Sequence, residues 1–222
     1  MAETGTTTPR ERYRAQVRAE VKKRAWEQIA TAGASALSLN AIAKQMGMSG
    51  PALYRYFASR DDLITELIRD AYRSLADAIR AASEKAASEK SGAHVVALAH
   101  AIRGWALEDP QRYFLIYGTP VPGYHAPDDT TAIAVEIMAS MLDAWTALPP
   151  DGPATPFDAH LEDHRQWAGG HPAPSAVLHQ ALIFWTRLHG VLSLELAGQF
   201  GGMGFDPALL FAAELDGLLA GR

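Results

Sequence analysis

Apolar residues recur at helical spacing along almost the whole chain. Between residues 11 and 32 they return at every fourth position, with arginine and lysine between them, at Val17, Val21, Ala25 and Ile29. This spacing places them on one face of a helix. Similar patterns predict further helices over 39–46, 50–57, 59–85, 92–108, 110–118, 129–147, 174–200 and 207–220. No segment alternates apolar and polar residues as a strand does, so the predicted fold is all-α, with about nine or ten helices.

Serine, proline and glycine mark where these helices begin and end. Ser38 and Ser49 are placed to cap the second and third helices. Ser59, with Asp62 three residues later, resembles a capping box at the start of the fourth. Residues 148–173 hold five prolines and three glycines. That composition predicts a long exposed loop.

Charge is distributed unevenly along the chain, whose formal net charge is −5. Residues 1–60 hold ten Lys or Arg and four Asp or Glu, a balance of +6. Residues 61–222 hold ten Lys or Arg and 21 Asp or Glu, a balance of −11. A basic first quarter joined to an acidic remainder suggests that the first part faces a polyanion.

Composition excludes several classes of protein. The chain contains no cysteine, which excludes a disulfide scaffold, a thiolate metal site and a cysteine nucleophile. It has no run of about 18 apolar residues that would span a membrane, and its first residues lack the apolar core of a secretory signal. These features predict a cytoplasmic protein that does not contact a membrane.

The most informative segment is residues 38–60, SLNAIAKQMGMSGPALYRYFASR. Two short helices separated by Gly47 and Met48 predict a helix-turn-helix, in which the second helix packs across the first. Three apolar residues are predicted to face inward: Ile42, Leu53 and Phe57.

Tyr54, Arg55 and Tyr56 lie between the last two of these inward positions, so they are predicted to face outward. Exposed aromatic side chains beside an arginine fit a groove lined by phosphates. There, tyrosine hydroxyls and arginine N–H groups donate hydrogen bonds to phosphate oxygens. The alternative interpretation is that both tyrosines are ordinary surface residues of a helical bundle.

This segment resembles the DNA-binding domain of the tetracycline-repressor (TetR) family over about residues 15–75. The shared pattern is LxxIAxxxGxSxxxLYRYFxSxxxL. It falls here on Leu39, Ile42, Ala43, Gly47, Ser49, Leu53, Tyr54, Arg55, Tyr56, Phe57, Ser59 and Leu63. The resemblance implies an all-α homodimer with a three-helix DNA-binding domain at residues 11–58 and its helix-turn-helix at 38–57. It also implies a larger helical domain for ligand binding and dimerisation at 59–222.

The resemblance also implies which residues touch DNA. Phosphate contacts carried over by position fall on Ser38, Ser49, Tyr54, Tyr56 and Arg60. Base contacts fall on Gly50, Pro51, Ala52 and Arg55. Family members often have a basic residue at position 50 and a hydroxyl at 52, whereas this chain has neither. Arg55 is therefore expected to be the main polar reader of bases, with DNA shape contributing more of the specificity.

The C-terminal stretches GWALEDPQRYFLIYGTPVPGY and FWTRLHGVLSLELAG are similar to one TetR subgroup, named for its Trp-His-Gly signature. Trp185, His189 and Gly190 match that signature. Aromatic and polar side chains on the predicted C-terminal helices fit either a core or a ligand cavity. The ligand-binding candidates are Trp105, Tyr113, Tyr117, Met141, Trp145, His179 and Trp185. Four of them, Trp105, Tyr117, Trp145 and Trp185, are expected to border one cavity.

The last two predicted helices are apolar around most of their circumference, which indicates burial on all sides. We expect them to pair with the same helices of a second subunit in a four-helix interface. The interface candidates are Gly190, Leu194, Ala197, Leu210, Phe211 and Leu218.

Three weaker features leave alternatives open. Arg10, Arg12 and Arg14 follow a polar N-terminus and fit either an arm in a DNA minor groove or a disordered tail; residues 1–10 are predicted to be flexible. His160, His164 and His171 suggest a metal, but the spacing differs from the zinc-protease motif, so surface histidines are favoured and no metal is expected. The basic run Lys22, Lys23 and Arg24 is interpreted as a solvated helix face rather than as a specific reader of DNA.

These observations predict a DNA-binding transcriptional regulator that a small molecule releases from a palindromic operator. No cofactor is expected, and no catalytic motif is assembled in the sequence. One alternative is a DNA-binding dimer without an effector, and a more distant one is an all-helical enzyme.

Overall fold

The computed structural model of the chain describes residues 8–87, 92–118, 120–122, 124, 127–148 and 153–220. Within these ranges the regular structure is helical, with no strand. The ten α-helices are α1 (Pro9–Ala32), α2 (Leu39–Gln45), α3 (Gly50–Leu53), α4 (Arg60–Ala86), α5 (Ala93–Glu108), α6 (Pro110–Tyr117), α7 (Asp128–Thr146), α8 (Pro156–Asp163), α9 (Ser175–Leu196) and α10 (Pro207–Ala220). The all-α prediction is confirmed. None of the described helices is both long enough and apolar enough to cross a membrane.

The first helix begins earlier than the sequence pattern predicts. The Thr8 hydroxyl accepts a hydrogen bond from the Glu11 backbone N–H at 3.3 Å. The Glu11 carboxylate in turn accepts from the Thr8 backbone N–H at 2.8 Å. This capping box, with Pro9 in the first turn, starts α1 at Pro9. The prediction of a flexible arm is therefore wrong for Pro9 and Arg10, while residues 1–7 lie outside the described residues.

Arg10, Arg12 and Arg14 consequently belong to the first two turns of α1. The interpretation of these arginines as a disordered tail is wrong, because the capping box fixes the backbone in helical geometry before Arg10. Their contact with a DNA minor groove stays a prediction. Their side chains are exposed on the helix surface.

The chain divides into two compact units. One contains the described residues up to Asp70 together with those in 114–127, and the other contains those in 71–113 and 128–220. In the first unit Ile42, Leu53 and Phe57 are fully buried. The predicted inward positions are thus confirmed.

The third helix is shorter than predicted. α3 ends at Leu53 rather than at Phe57. The Tyr56 backbone N–H donates to the Leu53 carbonyl at 2.8 Å, an i to i−3 bond that tightens the chain into a turn. The turn still carries Phe57 into the core, because the Phe57 N–H also donates to the Leu53 carbonyl, at 3.3 Å.

In the second unit, the segment 148–173 is largely exposed where it is described, as predicted, but the prediction that it is a loop is wrong. Its described part contains α8 and a 3₁₀ turn at Gln166–Ala168. Thr155 and Asp158 form a capping box at the start of α8. Leu161 is buried, and the Asp158 carboxylate lies 2.9 Å from His179 Nδ1 on α9. A cap, an apolar anchor and a buried polar contact together hold this proline-rich segment in place.

Asp158 is the charged anchor of α8. The backbone N–H of Thr155 donates to its carboxylate at 2.6 Å. This bond, together with those from the Thr155 hydroxyl and His179, outweighs desolvation and holds the Asp158 pKa below its ordinary value. The carboxylate is therefore charged at neutral pH.

A partly buried ion pair joins α5 to α9. The Arg103 guanidinium lies 2.5 Å from the Glu195 carboxylate, and the two side chains are only 19% and 12% exposed. Arg103 also lies over the ring of Phe211, 5.5 Å from its centroid. Three helices are thus tied together at one point, since Phe211 belongs to α10.

A buried tyrosine and a half-buried histidine form a second polar contact in this unit. The Tyr113 hydroxyl lies 2.9 Å from His189 Nδ1 and 3.3 Å from the His189 carbonyl. Burial raises the pKa of Tyr113 to about 12 and lowers the pKa of His189 to about 4. Both side chains are therefore neutral at pH 7.

The lowered pKa of His189 predicts a loss of stability in mild acid. Below pH 6.5 the unfolded chain binds a proton at this residue, whereas the folded protein does so only near pH 4. The stabilisation is complete above 6.5 and is lost as pH falls towards 4, at a cost of about 3 kcal/mol. Urea unfolding at pH 7 and pH 4.5 should therefore show a smaller pH dependence for His189→Gln than for the wild type. Equal pH dependence of the two proteins would contradict the assignment.

Candidate nucleic-acid interface

The start of α2 is fixed from both sides by Ser38. Its hydroxyl accepts a hydrogen bond from the Ala41 backbone N–H at 3.3 Å. Its own backbone N–H donates to the Gln28 side-chain oxygen on α1 at 3.0 Å. The predicted cap is confirmed, and the bond to Gln28 sets where α2 begins relative to α1.

The turn between α2 and α3 depends on Gly47. Its φ of +65° lies in the left-handed region, where a side chain is strained. The Met48 N–H donates back to the Ala43 carbonyl at 2.9 Å, which closes the turn. α3 then begins after Ser49, whose side chain makes no capping hydrogen bond and is exposed.

The segment after α3 presents polar and aromatic groups outward. Tyr54 is 45% exposed, and Arg55 is exposed without a carboxylate partner in the described part of the chain. Tyr56 is only half-buried. Arg14 lies 5.8 Å from the centroid of the Tyr56 ring. The predicted outward placement is confirmed for Tyr54 and Arg55, and Tyr56 is partly covered by α1.

Gly50, where family members often have a basic residue, lies close to the exposed Asn40 side chain of α2. A Cβ atom built on Gly50 would lie 3.3 Å from the Asn40 side-chain oxygen. A larger residue here would require Asn40 to move. Pro51 is exposed and Ala52 half-buried, so this end of α3 offers apolar surface rather than hydrogen-bond donors.

Arg60 is already engaged within the protein. Its guanidinium donates to the carbonyl oxygens of Ala34 at 2.9 Å and Ser35 at 3.3 Å. It also lies 3.4 Å from the Asp61 carboxylate. Arg60 therefore anchors the segment before α2 to the start of α4, and a phosphate contact from its remaining donors stays a prediction.

Arg18 holds the turn at 54–57 against α1. It donates to the Tyr56 carbonyl, its guanidinium lies 4.2 Å from the Phe57 ring centroid, and it pairs with Glu66 at 3.0 Å. Burial favours a raised pKa for Glu66, but the hydrogen bond and charge of Arg18, together with the hydrogen bond of Arg69 and the charge of Lys22, outweigh it and hold that pKa below its ordinary value. The sequence pattern gives no sign of this pairing, because the residues are 48 positions apart along the chain.

Comparison with known proteins identifies the family. Residues 23–67 match the model for bacterial regulatory proteins of the tetR family. Residues 95–218 match the tetracyclin repressor-like C-terminal domain. The HTH-type transcriptional regulator Rv1816 of Mycobacterium tuberculosis is 37% identical over 230 residues, which cover 99% of this chain and 98% of Rv1816. The chain belongs to the TetR family of transcriptional regulators.

Two solved structures share the fold of this TetR-family regulator. The crystal structure of the protein SCO4313 is 70% identical, with a TM-score of 0.86, and the match covers 96% of this chain and 100% of that one. A protein of unknown function from Rhodococcus sp. RHA1 is 22% identical, with a TM-score of 0.69 over 100% of this chain and 98% of its own. The latter supports the fold alone. The Trp-His-Gly subgroup stays a prediction, because neither family model addresses it.

The ligand candidates of this TetR-family regulator lie in several clusters. Tyr113, His189 and Trp185 lie together, with the Trp185 and His189 rings 5.1 Å apart and edge-on. Trp145 packs edge-on against Phe184 at 5.8 Å. These clusters lie in the second unit, together with buried Met141.

Other candidates have structural partners that the sequence did not suggest. The Trp105 indole N–H donates to the Ser74 hydroxyl at 2.7 Å, and His179 bonds to Asp158. Tyr117 is half-buried and belongs to the first unit. A cavity shared by Trp105, Tyr117, Trp145 and Trp185 stays a prediction.

The dimer candidates differ in exposure. Gly190 and Ala197 are exposed, and Leu194 is 46% exposed. Leu210 and Leu218 are half-buried. Phe211 is 1% exposed, since it packs near His100 and Arg103 of its own chain. Phe211 is therefore a core residue, and assigning it to the interface was wrong.

The three histidines of the segment 148–173, His160, His164 and His171, lie on α8 or after its end. The His160 and His164 rings stack 4.0 Å apart, and His171 Nε2 lies 3.1 Å from the Asp143 carboxylate. Among the described residues no group of three or more His, Cys, Asp or Glu is arranged to hold a metal ion.

Proposed function

We propose that this TetR-family regulator is a cytoplasmic homodimer that represses transcription at a palindromic operator and leaves it on binding a small molecule. One observation carries the proposal: Tyr54 and Arg55 are exposed directly after the second helix of a helix-turn-helix. The guanidinium of an exposed arginine that has no carboxylate partner is free to bind an anion outside the chain. The DNA-binding part is proposed to end near residue 58, with ligand binding and dimerisation in 59–222.

The proposed contacts divide into two kinds. Ser38, Ser49, Tyr54 and Tyr56 would donate to phosphate oxygens, which position the protein without reading sequence. Arg55 would read a base edge in the major groove, where guanine accepts two hydrogen bonds from one guanidinium. Gly50, Pro51 and Ala52 would contact bases only through their backbone and apolar surface, as with a thymine methyl group.

The experiment replaces Arg55 by alanine and measures binding to an operator selected from random duplexes. We expect a loss of about 1–3 kcal/mol and a relaxed preference at one position of each half-site, because the polar base reader is removed. The matched variant Tyr54→Phe should weaken binding to all sequences alike, since it removes one phosphate donor and leaves the ring. An Arg55→Ala protein with unchanged affinity and unchanged preference would contradict the proposal.

Effector binding is supported by polar groups buried in the second unit. The Trp145 indole nitrogen is buried and has no hydrogen-bond partner among the described residues, and Gln180 Oε1 on α9 is in the same situation. An unsatisfied buried group costs about 1–3 kcal/mol. A small molecule with complementary polar atoms would satisfy such groups, which fits an apolar or aromatic effector with a few polar substituents.

The proposed release follows from linkage between the two ligands. Suppose that the effector favours a conformer that cannot span two half-sites. The effector then lowers the affinity for the operator, and the bound operator lowers the affinity for the effector by the same factor. Titrating a labelled operator complex with aromatic compounds while following tryptophan emission separates this function from its alternative. A compound that changes emission without releasing the operator would favour a DNA-binding dimer that has no effector.

A further inference from the structure

An open pocket of about 270 Å³ lies beside the proposed reading segment, between α1 and the turn after α3. Arg10, Tyr13 and Arg14 line it from α1, and Arg55 and Tyr56 line it from the turn. Three guanidinium groups and two phenol rings therefore surround one opening. No carboxylate lines it.

Ion pairing separates these arginines from the others. Within the described ranges, ten arginines have a carboxylate within 4.0 Å: Arg18, Arg24, Arg60, Arg69, Arg73, Arg80, Arg103, Arg112, Arg165 and Arg187. No such pair involves Arg10, Arg12, Arg14 or Arg55 in that part of the chain. Three of these four line the pocket. Three of the four arginines without a carboxylate partner in the described ranges thus meet at one place on a protein whose net charge is negative.

Helix geometry gives the pocket a fixed wall. Arg10, Tyr13 and Arg14 stand at positions i, i+3 and i+4 of α1, so they share one face. Arg18 continues this face and is bound to the Tyr56 carbonyl. Arg14 also donates to the Arg55 carbonyl at 3.3 Å. The capping box at Thr8 and Glu11 holds the first turn in helical form, so Arg10 is presented by an ordered backbone.

The neighbouring acidic group is directed elsewhere. The Glu11 carboxylate accepts hydrogen bonds from the Thr8 backbone N–H at 2.8 Å and from the Thr8 hydroxyl at 2.9 Å. It belongs to the helix cap rather than to the pocket lining. Tyr13, 63% exposed, adds a phenol hydroxyl at the rim.

We infer that this pocket is a second DNA contact, in which Arg10, Tyr13 and Arg14 bind backbone phosphates flanking the bases that Arg55 reads. The inference rests on the proposed DNA binding and extends the interface from the turn onto α1. Guanidinium groups bind phosphate oxygens through paired N–H donors, and a tyrosine hydroxyl adds a further donor. Such contacts raise affinity for every sequence without changing the preferred one.

The test compares Arg14→Gln and Arg10→Gln with the matched control Arg12→Gln. All three remove one charge from the first two turns of α1, but Arg12 does not line the pocket. In a dimer each pocket variant loses two phosphate contacts, so the slope of log affinity against log salt should become shallower by roughly 1.8. Affinity at low salt should fall roughly tenfold, with the selected sequence unchanged. Arg12→Gln should retain the wild-type slope.

Each other outcome overturns the inference in a recognisable way. If both pocket variants keep the wild-type salt dependence and affinity, the pocket does not touch DNA. The proposed function would still stand if Arg55→Ala shows its expected loss of affinity and sequence preference. A changed preference for A·T pairs in the flanks would assign these arginines to a minor groove instead. Equal losses of affinity in all three variants would show that only the total positive charge of the first turns of α1 matters, not the pocket. Failure of the wild-type protein to bind any duplex would instead remove the proposed function itself.

Discussion

Replacing Leu194 by glutamate is expected to abolish dimerisation and operator binding together. Leu194 lies on α9 and is 46% exposed. Other large apolar side chains on or just before α10 are exposed as well: Met203 at 63%, Phe205 at 43% and Leu209 at 70%. Exposed Gly190 and Ala197 on or beside α9 would let a second backbone approach closely. A carboxylate placed in such an interface would be desolvated without a partner, which is strongly destabilising.

The loss of operator affinity follows from the loss of symmetry. A palindromic site gains affinity because binding of the first half-site holds the second reading segment near its own. A monomer forfeits this gain, so we expect operator affinity to fall by about 10²–10⁴-fold. Sedimentation at micromolar concentration and operator titration should change together in the Leu194→Glu protein.

Leu107→Glu provides a matched control for this substitution. Leu107 on α5 is 41% exposed and belongs to the same unit as Leu194. The same change in size and charge there should leave both the dimer and the affinity intact. A Leu194→Glu protein that stays dimeric would place the interface elsewhere.

Replacing Phe57 by alanine is expected to unfold the DNA-binding part of the chain. Phe57 is fully buried, and the Arg18 guanidinium packs 4.2 Å from its ring centroid. Loss of a buried phenylalanine side chain costs about 3–5 kcal/mol, which approaches the whole stability of a small domain. Chemical denaturation should show this loss, and operator binding should disappear with it.

Two variants separate stability from recognition at this place. Phe57→Leu keeps most of the volume and should cost less than about 1.5 kcal/mol. Tyr54→Ala removes an exposed ring three residues earlier and should leave the unfolding midpoint nearly unchanged while weakening DNA binding. A Phe57→Ala protein as stable as the wild type would contradict the packing described for the first unit.

The helix-turn-helix could be predicted because its signals are local. Helical spacing placed Ile42, Leu53 and Phe57 inward, and Gly47 marked the turn. Two helix starts, at Thr8 and Thr155, were also readable as capping boxes, since an acid stands three residues after each threonine. The prolines beside them favoured a loop interpretation instead, which is why the start of α1 and all of α8 were missed.

Other features depend on the tertiary structure. Arg60 binds carbonyl oxygens 25 and 26 positions earlier in the chain, and no local pattern predicts such a contact. Helical phase also cannot distinguish a residue of the chain's own core from a residue of a dimer interface. The pattern therefore predicts an interface position for Phe211, whereas the folded chain buries it in its own core. The basic pocket joins residues of α1 to Arg55 some 40 positions later, and only the folded chain brings them together.

We propose that this TetR-family regulator binds DNA as a symmetric dimer through the segment around Tyr54 and Arg55. Repeated selection of random duplexes by the purified protein would decide this. We expect enrichment of an inverted repeat whose half-site centres lie about 34–36 Å apart along the duplex, one helical turn, or a multiple of that distance. Enrichment of unpaired single sites, or no enrichment at any salt concentration, would contradict it.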